Sequence, residues 1–296
     1  MVIQWFPGHM SKALKMMENE IKVVDAVIYV LDSRAPFSCV NPKFTQVIKD
    51  KPVIYAFNKI DLAEKDKVND WIKYFESLGG ICVTINSTAS GLGKNVENAI
   101  KKACSAKIEK YQNKGIKATL RALVLGVPNC GKSTLINNLC GRSKTVTGNI
   151  AGVTRGKQWV TIASGIELLD TPGTLWPAFD NNRVARTLAY LGSIKEDVLD
   201  INELAYDFIK DMIKIDKTLI ENRYNIEIFD DMETIEIIDA ICESRKYMLK
   251  GGDLDYDRCC AAIISDFKHG KFGCLTLETV KELTQLKKND RNKENK

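Results

Sequence analysis

Residues 126–134 read Gly-Val-Pro-Asn-Cys-Gly-Lys-Ser-Thr, between an apolar run at 120–126 (LRALVLG) and a stretch of helical composition beginning near Lys132. The segment fits G-x-x-x-x-G-K-[S/T] after a strand and before a helix, the setting in which that pattern has a physical meaning. Glycines at 126 and 131 let backbone N–H groups, including those of Asn129, Cys130 and Gly131, wrap phosphate oxygens. The following helix adds the positive end of its dipole. In this arrangement Lys132 reaches the β- and γ-phosphates, Ser133 offers its hydroxyl to Mg2+, and Thr134 donates to the α-phosphate. A strand–loop–helix unit of this kind predicts an α/β fold, a mostly parallel sheet with flanking helices.

Working outward, Asp170-Thr-Pro-Gly173 closes an apolar strand. An aspartate there can hold the Mg2+ shell, commonly through water, and the Gly173 N–H can reach the γ-phosphate. Thr154, in Gly152-Val-Thr-Arg-Gly156, precedes strands expected at 157–163 and 166–170 and can enter the same shell. Upstream, Asn58-Lys59-Ile60-Asp61 follows the apolar strand 53–57 (VIYAF). Asp61 is predicted to accept from guanine N1–H and its N2 amine. Adenine has neither donor there, and a carboxylate left unmatched is costly. The Lys59 stem would lie along the base and the Asn58 amide would tie the loops together. Asn86-Ser87-Thr88, after an apolar run at 81–85, would supply backbone donors to guanine O6. Alone, N-K-x-D can be a helix cap and D-x-P-G an ordinary turn; together the motifs read as a guanine-nucleotide site.

Their order is unusual. In most GTPases the phosphate loop comes first and N-K-x-D last; here N-K-x-D and the serine loop precede. Joining the usual ends and cutting after D-x-x-G gives the same sheet by circular permutation, which requires only that the original ends be close in space. The stretch 101–121, rich in lysine with Glu109 its one acid, is the expected join. Strands and helices alternate up to about residue 178. From there the pattern is helical, over 183–191, 201–215, 217–223, 233–250, 256–269 and 277–287. The expected division is therefore a G domain at 1–178 and an all-α domain at 179–296.

Composition agrees with a folded globular chain: 296 residues, 45% apolar and 27% charged. Forty-three Lys and Arg against thirty-eight Asp and Glu give +5, which permits a nucleic-acid partner without demanding one. No apolar run approaches the length of a membrane span, and the first residues lack a charged-then-apolar leader pattern. Nine cysteines without a C-x-x-C pair predict reduced thiols in a cytoplasmic protein.

The chain resembles the circularly permuted ribosome-biogenesis GTPases of the RbgA (YlqF) family. The resemblance rests on IQWFPGHM at 3–10 with Lys12 and Ala13, DSRAP at 32–36, NKID at 58–61, GVPNCGKST at 126–134, GVTR at 152–155 and DTPGTLWP at 170–177. It implies GTP hydrolysis coupled to assembly of the large ribosomal subunit, with rRNA contacts, release after hydrolysis, and a monomer. The resemblance also makes His9 the group that orients or deprotonates the attacking water. Asn129 becomes a residue that helps hold K+ beside the phosphates. Two positions depart from the family pattern: Thr174 stands where an apolar residue is usual, and Ala151 where proline precedes G-x-T. Helical-domain cations, among them Arg183, Arg186, Arg223, Lys246, Lys250 and Lys268, are the expected RNA contacts. Two other readings stay open. One is a GTP-dependent binding switch with negligible turnover; the other is a P-loop enzyme of small-molecule phosphoryl transfer, which would not need N-K-x-D.

Overall fold

The computed structural model describes residues 17–89, 91, 93–141, 158–162, 165–171, 173, 175 and 182–283. Six strands are described: β1 (Ala26–Asp32), β2 (Val53–Asn58), β3 (Ile81–Thr84), β4 (Arg121–Leu125), β5 (Gln158–Thr161) and β6 (Glu167–Asp170). They make one sheet in the order β3-β2-β1-β4-β6-β5. Every neighbouring pair is parallel except β5 with β6. All seven residues of β1 are buried, as a central parallel strand covered on both faces requires.

Residues 17–20 are helical, and the further helices described in this half are α1 (Pro42–Ile48), α2 (Lys65–Ser77), α3 (Gly93–Ala103), α4 (Ser105–Gln112) and α5 (Lys132–Leu139). Asn41 caps α1 through its side-chain oxygen, with Pro42 in the first turn. Val68, Trp71 and Phe75 put one side of α2 into the core. Trp71 is fully buried, and its indole N–H donates to the Glu278 carbonyl at 3.1 Å.

The sheet order explains the permuted sequence. The chain builds outward from β1 to β2 and β3, then returns through α3 and α4 to lay β4 on the other side of β1. The return is pinned by Asp25, whose carboxylate accepts from Lys107 Nζ (2.8 Å) and the Arg121 N–H (2.9 Å). Order therefore reverses between β1 and β4, the place where open α/β sheets form a ligand crevice beyond their carboxyl ends.

Beyond residue 182 come α6 (Asn182–Tyr190), α7 (Ile201–Asp216), α8 (Thr218–Tyr224), α9 (Thr234–Arg245) and α10 (Tyr256–Lys268). Phe208 of α7 lies at their centre, 5.1 Å from the Tyr190 ring and 5.0 Å from Phe267. The expected boundary at 178 lies outside the described residues.

Two helical expectations need correction. The helix expected over 233–250 ends at Arg245, because Lys246 turns left-handed (φ 55°). The N–H groups of Lys246 and Tyr247 then bond back to Glu243 and Cys242 carbonyls. The helix expected over 277–287 is extended at its start, and helix is described only over 280–283. Leu275 N–H donates to Leu62 O (2.9 Å) and Leu277 N–H to Arg34 O (2.7 Å). Those bonds hold this segment extended against the sheet-bearing half, so helix begins later than expected.

Candidate functional site

The crevice is built from loops that leave the same edge of the sheet. Register places Asp32 beside Asn58 and Val124 beside Asp170. The loops after β2 and β4 are separated only by β1, two strand spacings or about 10 Å.

The phosphate-loop residues adopt the conformations their sequence allows. Asn129 and Gly131 both have positive φ, 60° and 99°. A Cβ at Gly131 would stand 2.1 Å from Asn58 Nδ2, so glycine is required there by close approach as well as by backbone. Lys132 opens α5 and is buried, its Nζ on the carbonyls of Gly126 (3.0 Å) and Val127 (2.8 Å). Thr134 sits half-buried in the same first turn. The Cys130 thiol is buried 4.0 Å from Lys132 Nζ, and burial pushes its pKa up. Gly173 approaches from the other side; a Cβ there would lie 2.7 Å from Pro128 Cα and 2.9 Å from Lys132 Nζ.

Ser133 Oγ donates to Asp170 Oδ2 at 3.2 Å. Asp170 Oδ1 is buried with no hydrogen-bond partner among the described residues. Burial raises the Asp170 pKa, against the opposing pull of Lys132 and the Ser133 hydroxyl. A buried carboxylate oxygen without a donor, beside a hydroxyl, fits a hard cation with oxygen ligands such as Mg2+.

Asn58 joins the base side to the phosphate side. Its Nδ2 donates to Cys130 O (2.8 Å) and Ser87 Oγ (3.1 Å), and its Oδ1 accepts from the Ser87 N–H (2.9 Å). Lys59 is left-handed (φ 58°), and its ammonium is held 2.8 Å from Asp32 Oδ2. Asp61 sits in the short turn Ile60–Leu62 and is exposed. Asn86 Oδ1 accepts from the N–H and hydroxyl of Thr88, folding the loop on itself. The structure therefore brings together Asn58, Lys59, Asp61, Ser87, Asn129–Thr134, Asp170 and Gly173. His9 and Thr154 lie outside the described residues, as do Ala151 and Thr174.

Several residues outside the nucleotide-binding motifs also shape the crevice. Asn138 of α5 donates to Ser87 O (3.1 Å) and Ala89 O (2.7 Å), fixing the serine loop to the phosphate-loop helix. Asp32 accepts from Arg34 through Nε (2.9 Å) and Nη2 (2.8 Å). Burial works to raise the Asp32 pKa, but Arg34 and Lys59 outweigh it and hold the carboxyl well below the usual carboxylate range. Both residues belong to the DSRAP stretch at 32–36, which places a charged pair at the end of a strand as apolar as β1. The helical half also touches the phosphate loop: Ser193 Oγ donates to Pro128 O (2.8 Å) and Asn129 Nδ2 to Gly192 O (2.6 Å). Several of its cations are held internally. Arg183 pairs with Glu282, Arg186 with Asp207 and Asp211, Arg223 with Asp266, and Lys268 with Glu196, whereas Lys246 and Lys250 are exposed.

The chain is similar to several known proteins. A family model described as "50S ribosome-binding GTPase" matches residues 121–240, starting at β4. The chain is 39% identical over 284 residues to Ribosome biogenesis GTPase A of Bacillus cereus, covering 95% of each. It is 37% identical to the protein of the same name from Bacillus licheniformis, covering 96% of this chain and 100% of the relative. The crystal structure of GNP-bound YlqF from T. maritima shares the fold, with a TM-score of 0.61 at 24% identity, over 90% of this chain and 98% of that one.

Proposed function

The chain belongs to the ribosome biogenesis GTPase A family, and from that premise we propose that it docks on rRNA of the immature large ribosomal subunit in its GTP state and leaves after hydrolysis. The observation that carries the site assignment is the Asn58 side chain, bonded at once to the serine loop and to the phosphate loop. One ligand with a base at one end and phosphates at the other fits loops fastened in this way.

Within this reading the 126–134 loop cradles the phosphates with its N–H groups, and Lys132 exchanges the carbonyls of Gly126 and Val127 for phosphate oxygens. Asp61 accepts from guanine, the Lys59 stem lies along the base, and the loop 86–88 meets O6. Ser133, Asp170 and Thr154 would hold Mg2+, which when bound supplies positive charge beside the β- and γ-phosphates. Gly173 presents its N–H toward the γ-phosphate, and His9 orients or deprotonates the water. K+ held with the help of Asn129 would add charge at the same place.

The sheet-bearing half at 1–178 serves as the G domain and the helical half at 179–296 as the rRNA-facing domain. Exposed Lys246 and Lys250 are better placed for phosphate contacts than Arg183, Arg186, Arg223 or Lys268, which already have carboxylate partners. The protein is proposed to act as a cytoplasmic monomer.

Co-sedimentation with large-subunit precursors tests the reading: retention with a non-hydrolysable GTP analogue and loss with GDP is expected. Multiple-turnover kinetics with and without subunits separates a hydrolase from a binding switch. Absence of stimulation by subunits would favour the switch.

A further inference from the structure

We propose that Asp32 and Arg34 are positioning residues for nucleotide binding: they hold Lys59 in place at the base site and anchor it to the carboxyl end of α10. The inference rests on the guanine-site reading above and adds to it a set of residues outside the nucleotide motifs.

Asp32 is the last residue of β1 and is buried; Arg34, two residues later, is also buried. The carboxylate is shared. One oxygen accepts from Arg34 Nε at 2.9 Å and from the Arg34 N–H at 3.1 Å. The other takes both Arg34 Nη2 and Lys59 Nζ at 2.8 Å. Two cations around one buried anion leave little freedom to any member. Lys59 is the exposed end of the chain of contacts, with a quarter of its side chain open to solvent. Its backbone is left-handed, so the stem leaves the strand end in a direction set by both that turn and the ion pair.

The other end is rooted in the helical half. Arg34 Nη1 donates to the Phe267 carbonyl at 2.8 Å, and the guanidinium lies 4.7 Å over the Phe267 ring. That carbonyl belongs to the last turn of α10, where carbonyls lack helical partners and a cation is favoured. The same region braces the rest of the base loop. Cys274 Sγ approaches Asp61 O at 3.5 Å, Leu275 N–H donates to Leu62 O, and Thr276 and Glu64 exchange two hydrogen bonds. Displacement of the α10 end therefore withdraws an Arg34 contact and, through Asp32, loosens the Lys59 stem.

The test is equilibrium titration of the full chain with fluorescent N-methylanthraniloyl-GDP, with thermal melting recorded for each variant. Lys59→Met keeps the buried Asp32–Arg34 pair and should weaken GDP about tenfold; Asp32→Asn should do the same by releasing Lys59. In the Lys59→Met background Asp32→Asn should add less than about twofold, because both changes remove one interaction. Arg34→Lys, which keeps the charge but cannot span Asp32 and the Phe267 carbonyl together, carries the same expectation at about threefold and serves if Asp32→Asn does not fold. A purely structural role predicts losses that add in full to that of Lys59→Met. Unchanged GDP affinity in Asp32→Asn or Arg34→Lys, or full additivity with Lys59→Met, overturns the proposal. Asp61→Asn separates the two readings: a switch from GDP to XDP preference supports the guanine site. Absence of that switch overturns the guanine site together with the positioning proposal that rests on it.

Discussion

The side-chain amide nitrogen of Asn58 lies 2.8 Å from the carbonyl oxygen of Cys130, a residue 72 positions later in the chain. This one bond carries the strand order of a permuted sheet into a ligand crevice, because it crosses β1 to join the loops after β2 and β4. Substituting Asn58→Ala leaves the buried Ser87 N–H and Cys130 carbonyl without partners. We expect a loss of about 2–4 kcal/mol in stability, read by denaturant unfolding, and a GDP affinity lower by more than about tenfold.

Gly131→Ala puts a methyl group 2.1 Å from Asn58 Nδ2 at a backbone φ of 99°. Nucleotide binding should fall by more than about a hundredfold, since both the loop shape and the Asn58 bond are displaced, while circular dichroism still reports the sheet and helices. Retention of GDP binding would contradict the tight approach described for this glycine.

Asp170 gives a pH signature. Its folded pKa is raised by burial, so the carboxyl must lose a proton to serve Mg2+. Mg2+-dependent GTP affinity should therefore rise as pH climbs above the ordinary carboxylate range, then level off. Asp170→Asn should flatten this profile and lower Mg2+-dependent affinity by about tenfold or more, measured by titration at fixed GTP.

Asp32 acts in the opposite direction. Its folded pKa is held below the unfolded value, so its ion pairs contribute fully above about pH 4 and are lost as pH falls below it. Asp32→Asn should cost about 3–5 kcal/mol at neutral pH, because two cations lose their buried partner. Its stability should also fall less steeply than that of the unsubstituted protein between neutral pH and strong acid, followed by denaturant unfolding at each pH.

His9→Ala addresses the chemical step. Single-turnover hydrolysis at saturating GTP should slow by about a hundredfold with little change in GTP affinity. An unaltered rate removes His9 from the mechanism.

Much of this arrangement was legible in the sequence for definite reasons. Short continuous apolar runs such as AVIYVL and LRALVLG, bounded by turn residues, suit strands of a sheet covered on both faces, and each ends on a polar motif at one edge of the sheet. Other features depended on tertiary partners. Leu275, Thr276, Leu277 and Glu278 alternate as a strand does, but their extended form is stabilised by Leu62, Arg34, Glu64 and Trp71, which lie far away in the chain. The stop of α9 is a left-handed lysine rather than the glycine pair at 251–252, so no residue type marked it. Asn138 resembled any polar residue on a helix, because its role lies in which carbonyls it meets.

The helical half grips the crevice at both jaws, through Ser193 and Gly192 on the phosphate loop and through 274–276 on the base loop. It thus works like the frame of a calliper, fixing an opening it does not itself line. Whatever pulls on that frame from outside can change the grip on GTP at both ends at once. Grafting the region beyond residue 182 from a relative should then transplant that relative's nucleotide affinity together with its docking preference.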